Sequence, residues 1–461
     1  MSDLPIVDWT GRPQVHIVGI GGMAMSGIAQ IALDRGARVS GSDMVDSEYV
    51  ARLRHQGARI QLGHAAGNLG AADLLVHSAA IGPENPEIAA AACRGIPVTD
   101  RASFIASLLS EKTTLAIAGT HGKTTTSAMA SFALQKLGRK PAYLVGANIP
   151  QLGRNAAWGD GEIAVAEADE YARAFLAYRP HVAVIGHLEP DHLDYFGTQE
   201  ALYEAFAQFA RGVDPAGAVV ARCEIPAVAH AAAAGTARIV SFGTDGDWRL
   251  IANRSSRGGQ QIDVAGPDGL GLTTCLAVPG EHNALNALAA VAALAQLGID
   301  PGESFAALAA FTGSDRRFVR SNPAPGIRLV DDYAHHPTEI SAAIAAARGL
   351  EPEADRVWVV FQPHLRSRTA LLFESFAEAL AAADKVTICH IYSPPGRDRE
   401  YEVDAAALAA AVGDRADSCP DFAQACETVV GGAKPGDLIL MLGAGDINLL
   451  SERVSARLGR R

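Results

Sequence analysis

A glycine-rich segment between a strand and a helix is the part of the sequence best suited to chemistry. Residues 119–124 are Gly-Thr-His-Gly-Lys-Thr, and they follow the apolar run Thr113–Ala118. Backbone N–H groups of such a loop, together with the dipole of the following helix, bind phosphate oxygens. Lys123 would contact the terminal phosphates, and the Thr124 hydroxyl would be a magnesium ligand. Although two residues rather than the usual four separate its glycines, the segment predicts a site for a nucleoside triphosphate.

Acidic residues follow two further predicted strands of the same region. The run Glu167–Glu170 comes after Ile163–Ala166, and Glu189–Asp194, which contains His192, comes after Val182–Ile185. Because the carboxyl ends of parallel strands meet at one edge of a sheet, these side chains should converge beside the phosphate loop. Carboxylates with one imidazole can hold magnesium or manganese. Taken singly, His192 is better explained as an ordinary capping or solvated residue, but the combined set favours a metal-dependent ATP site.

A second glycine turn lies near the N-terminus and leaves an alternative open. Gly19, Gly21 and Ala24 have the spacing of a dinucleotide-binding turn, and Asp43 follows about 20 residues later, where a ribose ligand is expected. This pattern favours a dehydrogenase as a second hypothesis. A single glycine fingerprint is weak, however, and a dehydrogenase would leave the ATP loop without a purpose.

Strands and helices alternate along the whole chain, which predicts an α/β protein. A length of 461 residues suggests three domains at ~100–200 residues each. We predict a Rossmann-like domain over residues 1–110, a central P-loop ATPase-like domain over 111–318 and a doubly wound, Rossmann-like domain over 319–461. The glycine-rich stretch Arg254–Gly271 predicts a hairpin region, and Asn322–Gly326 predicts a linker.

Composition excludes several classes of protein. The net charge is −12 without a basic run, which disfavours nucleic acid and anionic membrane surfaces as partners. No apolar run reaches the ~18–20 residues that span a bilayer, so we expect no membrane insertion. The N-terminal residues lack the pattern of a secretory signal, so we expect a cytoplasmic protein. The six cysteines are scattered without a Cys-x-x-Cys pair, which favours neither a zinc site nor a disulfide framework.

Beyond these loops, motifs in a fixed order along almost the whole chain resemble the Mur ligase family. The matching segments are His16–Gly22, Met25–Gly27, Ser42–Asp43, Ser78–Ile81, Asn85–Glu87, Gly119–Thr126, Glu167–Glu170, Pro190–Asp194, Gly280–Asn283 with Asn286, Arg316–Phe318, Asp331–Glu339, Phe361–His364 and Gly443–Ile447. A dozen ordered matches are far more specific than any one loop.

The resemblance implies an ATP-dependent, ADP-forming ligase of peptidoglycan precursor synthesis that makes a carbon–nitrogen bond through an acyl phosphate. It implies a UDP-N-acetylmuramate-like acid as one substrate and L-alanine or another amine as the other, with Mg²⁺, or alternatively Mn²⁺, as the metal. The first domain is expected to bind the UDP-sugar, the second ATP, and the third to bring the amine and close over the site. The oligomeric state is expected to be a monomer or a homodimer.

The resemblance also implies roles for individual residues. Catalytic roles fall to Lys123, Glu167, His192, Arg317 and Asp332, and the metal ligands are Thr124, Glu167 and His192. ATP contacts fall to Gly119, Thr120, His121, Gly122, Lys123, Thr124, Thr125, His282, Asn283, Asn286, Arg317 and Asp332. Substrate contacts fall to Gly19, Ile20, Gly21, Gly22, Asp43, His64, Ser78, His335 and Arg368, with the diphosphate on Ile20–Gly22 and the uridine near Asp43 and His64.

Four positions depart from the pattern of the L-alanine-adding members. They are Tyr171, His187, Leu365 and the segment Ser393–Asp398. Tyrosine at the first is more like the relative that attaches a preformed tripeptide. The departures are explained either by drift with unchanged substrates, since loops vary most, or by a different amino acid or peptide as the amine. A nucleotide- or UDP-sugar-binding protein without catalysis is a further alternative, which the intact phosphate loop and acidic residues disfavour.

Overall fold

The computed structural model describes residues 7–256, 258–394, 398 and 401–460. The chain divides into two compact units. One comprises Met1–Leu188, Tyr203–Phe242 and Ala289–Ala307, and the other comprises Glu189–Leu202, Gly243–Leu288 and Leu308–Arg461. Each is described by itself below.

The first sheet is entirely parallel, with strand order β3-β2-β1-β4-β5. Its elements are β1 Gln14–Val18, α1 Met23–Asp34, β2 Arg38–Asp43, α2 Glu48–His55, β3 Arg59–Leu62, β4 Leu74–His77, α3 Pro86–Cys93, β5 Val98–Asp100 and α4 Arg101–Leu109. Side-chain oxygens of Ser47, Asn85 and Asp100 accept from backbone N–H groups at the starts of α2, α3 and α4. Such caps satisfy donors that a helix leaves unpaired, and so they fix where each helix begins.

A second group of strands contains the phosphate loop. The elements along this stretch of the chain are β6 Thr113–Ala118, α5 Lys123–Lys136, β7 Ala142–Ile149, β8 Arg154–Ala157, β9 Ile163–Glu167, β10 Val182–Ile185, α6 Leu193–Phe196, α7 Gln199–Arg211, β11 Ala218–Ala221, α8 Pro226–Ala232 and β12 Arg238–Gly243, of which α6 belongs to the second unit. The strands are ordered β12-β11-β10-β6-β9-β7-β8, and all but β8 are parallel. Since β6 lies between β9 and β10, the residues after these three strands meet at one edge.

The predicted hairpin region is a three-stranded antiparallel meander. It consists of β13 Trp248–Ser256, β14 Gly259–Ala265 and β15 Gly271–Leu276, and the helices α9 Glu281–Gln296 and α10 Pro301–Leu308 follow. The buried Gln260 donates from its side chain to the carbonyl oxygens of Val278 and Gly280, at 2.9 Å each. The first residues of β14 therefore hold the turn that leads into α9.

The third sheet has the order β16-β17-β21-β18-β19-β20 and is parallel except for its edge strand β16. Its elements are β16 Val319–Ala324, β17 Ile327–Asp332, α11 Pro337–Leu350, β18 Arg356–Phe361, α12 Arg366–Leu371, α13 Phe373–Leu380, β19 Lys385–Ile388, α14 Ala405–Val412, β20 Ala416–Ser418, α15 Phe422–Gly432, β21 Asp437–Leu442 and α16 Ile447–Leu458. Apolar side chains of α11, α13 and α14 pack on one face, and those of α15 and α16 on the other. The sheet is doubly wound.

The prediction of a linker at Asn322–Gly326 was wrong for its first three residues. Asn322, Pro323 and Ala324 belong to β16. Proline is tolerated there because β16 is an edge strand, and its pairing with β17 shifts register between Ser321 and Ala324.

The predicted α/β fold class is confirmed, whereas the domain limits 1–110, 111–318 and 319–461 stay predictions. In the described part of the chain, no helix has both the length and the apolar character needed to traverse a lipid bilayer.

Candidate functional site

The phosphate loop joins β6 to α5 through two glycines with positive φ, 141° at Gly119 and 78° at Gly122. A Cβ atom on Gly119 would lie 3.0 Å from both the backbone N and O of His187, which follows β10. Thr120 N donates to His187 O at 2.9 Å, and the His187 and His121 rings are 5.3 Å apart. Gly119 is therefore needed for close backbone approach, and the unusual His187 lies against the phosphate loop.

Lys123, the first residue of α5, is held by a buried carboxylate. Its Nζ lies 2.9 and 2.8 Å from the two oxygens of Glu170 and donates to Gly119 O at 2.6 Å. Burial alone would lower the pKa of Lys123, but the negative charges of Glu170, Asp169 and Glu167 raise it above its ordinary value. Lys123 is thus a fixed positive charge at the loop.

Thr124 and Glu167 bring two hard oxygen donors together in the same unit. Thr124 Oγ1 donates to Glu167 Oε1 at 3.0 Å, and Gly146 N donates to Glu167 Oε2 at 2.7 Å. A Cβ on Gly146 would lie 2.7 Å from each of these carboxylate oxygens. A hydroxyl and a carboxylate beside a phosphate loop are the donors that Mg²⁺ prefers, so these residues fit the implied metal. Thr125, the next residue, is buried in α5.

The third expected metal ligand, His192, belongs to the other unit. Its backbone is left-handed, with φ 53° and ψ 33°, a conformation that costs a non-glycine residue roughly 1–2 kcal/mol. The preceding residues fasten the loop within that unit. Glu189 Oε1 lies 3.0 Å from His336 Nδ1, and Glu189 Oε2 accepts from Thr338 Oγ1 at 3.0 Å. A strained residue held by its neighbours is typical of functional sites.

Arg368 and Asp191 form a buried ion pair in the same unit. Nε and Nη2 of Arg368 donate to Asp191 Oδ1 at 3.1 and 2.8 Å, and Nη1 lies 3.3 Å from His364 Nδ1. The expected pairing of Arg368 with a substrate carboxylate stays a prediction, and it would require Arg368 to share or leave Asp191. The His335 ring is 6.1 Å from that of His364, and burial lowers the pKa of His335 to about 4. His335 is therefore a neutral imidazole at neutral pH.

Arg317 lies just before β16, and Asp332 is the last residue of β17. Asp332 accepts from Ala334 N at 2.7 Å and from Phe318 N at 2.8 Å. Burial raises the pKa of Asp332 to about 6, although Arg317 opposes the shift. Arg317 Nη1 lies 3.9 Å from Glu339 Oε1, and its guanidinium lies 4.9 Å from the centre of the Tyr333 ring.

The expected adenine-side residues begin α9. Asn283 Nδ2 donates to Pro279 O at 2.7 Å, and Asn286 Nδ2 donates to Asn283 Oδ1 at 3.3 Å. Burial lowers the pKa of His282 to about 4, with Glu339 opposing and Arg317 reinforcing the shift. His282 is consequently neutral near pH 7.

Backbone N–H groups of the N-terminal glycine turn donate hydrogen bonds to nearby residues. Gly19 N and Ile20 N donate to Ser42 O at 2.8 and 3.1 Å, and Gly21 N donates to Asp43 Oδ2 at 2.8 Å. A Cβ on Gly19 would lie 3.2 Å from the Cβ of Ser78, so Ser78 packs on the turn. Gly22 N donates to Gly19 O at 3.3 Å. The expectation that a diphosphate rests on Ile20–Gly22 stays a prediction.

The other positions that depart from the pattern of the L-alanine-adding members are Tyr171, Leu365 and the segment Ser393–Asp398. Tyr171 follows Glu170, and its N donates to Asp169 Oδ1 at 3.1 Å. Leu365 is buried with a positive φ of 68° and precedes α12. Within Ser393–Asp398, residues 395–397 lie outside the described residues. Asp398 accepts from Arg366 N at 2.6 Å and from Ser393 Oγ at 2.7 Å.

Sequence reasoning missed the partners of the expected site residues. Glu170 binds Lys123, Gly146 binds Glu167, and Asp191 binds Arg368. For Glu170 a signal was available, since it ends the acidic run after β9. Gly146 and Asp191 gave none, because their contacts join residues distant in sequence.

Three family models together match most of the chain. The Mur ligase family catalytic domain matches residues 14–113, the Mur ligase middle domain residues 117–294, and the Mur ligase glutamate ligase domain residues 316–445.

Relatives and solved structures match over nearly their full length. The UDP-N-acetylmuramate–L-alanine ligase of Renibacterium salmoninarum is 44% identical over 94% of this chain and 93% of its own. That of Mycobacterium sp. (strain JLS) is 41% identical over 100% of this chain and 98% of its own. The solved UDP-N-acetylmuramate–alanine ligase of Thermotoga maritima has a TM-score of 0.82 at 30% identity, covering 96% and 99% of the two chains. The murein peptide ligase of Psychrobacter arcticus has a TM-score of 0.72 at 26% identity, covering 97% and 99%. With its ATP loop, its order of motifs and matches of this extent, the chain belongs to the Mur ligase family, whose members are ATP-dependent.

Proposed function

We propose that this enzyme joins L-alanine to UDP-N-acetylmuramate, with cleavage of ATP to ADP and phosphate, in peptidoglycan precursor synthesis. The observation that carries the proposal is the phosphate loop whose Lys123 and Thr124 each contact a carboxylate of the Glu167–Glu170 run. Relatives named for this reaction match the chain over more than nine-tenths of its length.

The first step is transfer of the γ-phosphoryl group to the substrate carboxylate, because a carboxylate by itself is a poor electrophile. Lys123 can contact phosphate oxygens in place of Glu170, because both partners are negatively charged. Its positive charge can then stabilise the negative charge that moves between oxygens during phosphoryl transfer. Backbone N–H groups of residues 119–124 would orient the same phosphates. Arg317, whose guanidinium lies against Tyr333, is a further positive charge that would contact ATP in this proposal.

Thr124 and Glu167, with His192, are the residues that would hold magnesium. The ion would neutralise phosphate charge when bound. Gly146 N–H orients the Glu167 carboxylate towards Thr124. Hydroxyl and carboxylate oxygens such as those of Thr124 and Glu167 suit both Mg²⁺ and Mn²⁺, so either ion fits this proposal.

The second step is attack of the neutral amine on the acyl phosphate, with release of phosphate. His335 is uncharged near neutral pH, so it can accept a hydrogen bond from the incoming amine. Arg368 would attract the amino-acid carboxylate if it were shared with Asp191. Exclusion of water by closure would protect the acyl phosphate from hydrolysis.

A second candidate is the same chemistry with a preformed peptide as the amine. Tyr171, which resembles the tripeptide-adding relative, and the likeness to the Psychrobacter arcticus ligase favour it. The lower TM-score and identity of that match make it the weaker candidate.

The test is phosphate release from ATP in the presence of UDP-N-acetylmuramate and either L-alanine, glycine, L-serine or the wall tripeptide, with the product mass recorded. We expect release that needs both the sugar acid and L-alanine, and a product with the mass of one added alanine. Release with the tripeptide instead would replace the proposal with the second candidate. ATP binding without release with any amine would contradict both. Lys123→Gln is the matched control for background phosphate release.

A further inference from the structure

A buried carboxylate in the N-terminal parallel domain has no role in the chemistry above. Glu87, in the first turn of α3, is completely buried. It accepts four hydrogen bonds, from His16 Nε2 at 3.0 Å, Ser42 Oγ at 2.6 Å, Ala65 N at 3.0 Å and Asn68 Nδ2 at 2.8 Å. Two of these partners lie on β1 and β2, and the other two lie in the segment after β3.

These contacts keep Glu87 ionised. Burial alone would raise its pKa, but the hydrogen bonds from His16, Ser42, Asn68 and Ala65 lower the pKa to about 2. An ionised carboxylate only accepts hydrogen bonds. Each of its four partners must therefore donate.

The hydrogen bond from Ser42 to Glu87 also determines which nitrogen of His64 carries a proton. Ser42 Oγ has a single proton, which it donates to Glu87 at 2.6 Å; if it pointed elsewhere, two acceptors would face each other at that distance. Its remaining lone pairs can only accept, and His64 Nδ1 lies 2.9 Å away. His64 Nδ1 must therefore carry a proton. In the neutral ring, the other nitrogen, Nε2, is then an acceptor.

The charge on Glu87 also determines which nitrogen of His16 carries a proton. His16 Nε2 donates to Glu87, so in a neutral ring its Nδ1 accepts from Ser40 Oγ at 2.9 Å. The five side chains Ser40, His16, Glu87, Ser42 and His64 thus form one chain of hydrogen bonds, and the charge on Glu87 sets its direction.

His64 Nε2 is open to a ligand. The His64 side chain keeps 16% of its surface exposed, and within the described part of the chain its Nε2 makes no hydrogen bond. His64 follows Gly63, whose N donates to Asp43 O at 2.8 Å. The acceptor nitrogen therefore lies next to the end of β2, at the edge of the sheet where nucleotides bind in parallel α/β domains.

We propose that Glu87 is a positioning residue that fixes His64 as the Nδ1–H tautomer, so that Nε2 accepts a hydrogen bond from the imide N3–H of a uracil base. The inference rests on the proposed function, in which UDP-N-acetylmuramate is a substrate, and on the expectation that the first domain binds it. Cytosine has no hydrogen on N3, so its lone pair would face the lone pair of His64 Nε2. The pair Glu87–His64 therefore selects uracil over cytosine, since a site built to bind a donor rejects an analogue that lacks it.

An isosteric substitution of Glu87 should reverse the direction of donation along this chain of hydrogen bonds. In Glu87→Gln, the amide oxygen is expected where Ala65 N and Asn68 Nδ2 donate, which turns the NH₂ group towards His16 and Ser42. Ser42 would then accept from Gln and donate to His64 Nδ1. His64 would become the Nε2–H tautomer, and its N–H would face the uracil N–H.

The first measurement is nitrogen-15 NMR of the full chain with labelled histidine, with the His64 signals assigned by difference against His64→Gln. We expect a protonated, pyrrole-like Nδ1 and a pyridine-like Nε2 in the wild type, and the reverse in Glu87→Gln. A wild-type Nε2–H tautomer would overturn the inference, whether or not the variant folds.

The second measurement is calorimetric titration with UDP and with CDP. We expect the wild type to bind UDP at least roughly tenfold more tightly, and Glu87→Gln to bring the UDP-to-CDP ratio towards one. In the His64→Gln background, adding Glu87→Gln should leave the ratio unchanged, because a glutamine amide can present either a donor or an acceptor. A general loss of stability would instead weaken both nucleotides equally. Equal wild-type binding of UDP and CDP, or no binding of UDP, would overturn the inference.

These readouts use neither ATP nor amine. A chain with the expected tautomer and UDP preference that fails to form the alanine product would contradict the proposed function alone. Product formation by a chain with the opposite tautomer would contradict this inference alone.

Discussion

Two guanidinium nitrogens of Arg368, Nε and Nη2, donate to a single carboxylate oxygen of Asp191, which lies 177 residues earlier in the chain. Both side chains are more than nine-tenths buried. Since Asp191 directly precedes the left-handed His192, this ion pair fixes the loop that presents a proposed metal ligand.

We expect Arg368→Gln to reduce the free energy of unfolding by about 3–5 kcal/mol at pH 7.5, because it leaves a buried carboxylate unpaired. Urea denaturation measures this loss. Arg457→Gln is the matched control: it removes an exposed pair with Glu427 and should leave the unfolding free energy nearly unchanged.

The cost of Arg368→Gln should shrink in acid. Burial alone would raise the pKa of Asp191, but Arg368 and His192 hold it well below its ordinary value. A depressed carboxyl pKa stabilises the folded state above the unfolded-state pKa, and that stability is lost as pH falls through the folded-state pKa. Without Arg368 burial prevails, so Asp191 should take up a proton at higher pH and remove part of the penalty. Equal losses at pH 7.5 and pH 5 would contradict this account.

Gly146→Ala should raise the Mg²⁺ concentration required for half-maximal turnover by about tenfold or more, as loss of a partner of a metal ligand does. The added Cβ would lie 2.7 Å from the Glu167 oxygens and displace the carboxylate from Thr124. A Mg²⁺ titration of phosphate release checks this. Gly431→Ala, in α15, is the control: its added Cβ would have no atom within 4 Å, so it should behave as wild type.

Lys123→Gln should lower turnover by roughly 10²–10³-fold, the cost of removing one group that stabilises charge in a transition state. It should also destabilise the fold, because Glu170 becomes an unpaired buried carboxylate. The double variant Lys123→Gln/Glu170→Gln should recover stability but not turnover. Recovery of both, measured by urea denaturation and phosphate release, would assign Lys123 a purely structural role.

Asp332→Asn should gain stability relative to wild type as pH rises. The folded-state pKa of Asp332 is raised to about 6, so its contribution to stability is fully present below the unfolded-state value of 3.8 and is lost as pH rises through 6. Between pH 4.5 and pH 7.5 the difference should move on the order of 2 kcal/mol in favour of Asn. Paired denaturation curves at the two pH values measure this shift, and a constant difference would show that Asp332 titrates normally.

Local patterns predicted the fold class and the position of the phosphate loop. The strand was placed at Thr113–Ala118, where β6 lies, because β-branched residues before a glycine turn leave few alternatives. The family resemblance, also confirmed, rested on the same kind of short, ordered segments.

Contacts between distant residues could not be predicted in this way. Nothing near Asp191 indicates Arg368 as its partner, and nothing near Gly146 indicates Glu167. Amides of the N-terminal glycine turn, expected to bind a diphosphate, are largely satisfied by Ser42 and Asp43, because β2 brings these residues back beside the turn. Pro323 suggested a linker because proline disfavours strands, but an edge strand with an irregular register tolerates it.

Because Gln260 binds the turn before α9, the three-stranded meander offers a place to attach a probe. Gln260 is at the start of β14, and the exposed tip at residues 267–269 follows its other end, about 17 Å away at ~3.3 Å per residue. β14 is paired on both sides, with β13 and with β15. A fluorophore attached at Asp268 would therefore lie on the strand that contacts the turn before His282, and an inserted peptide at the tip would leave the Gln260 contacts in place.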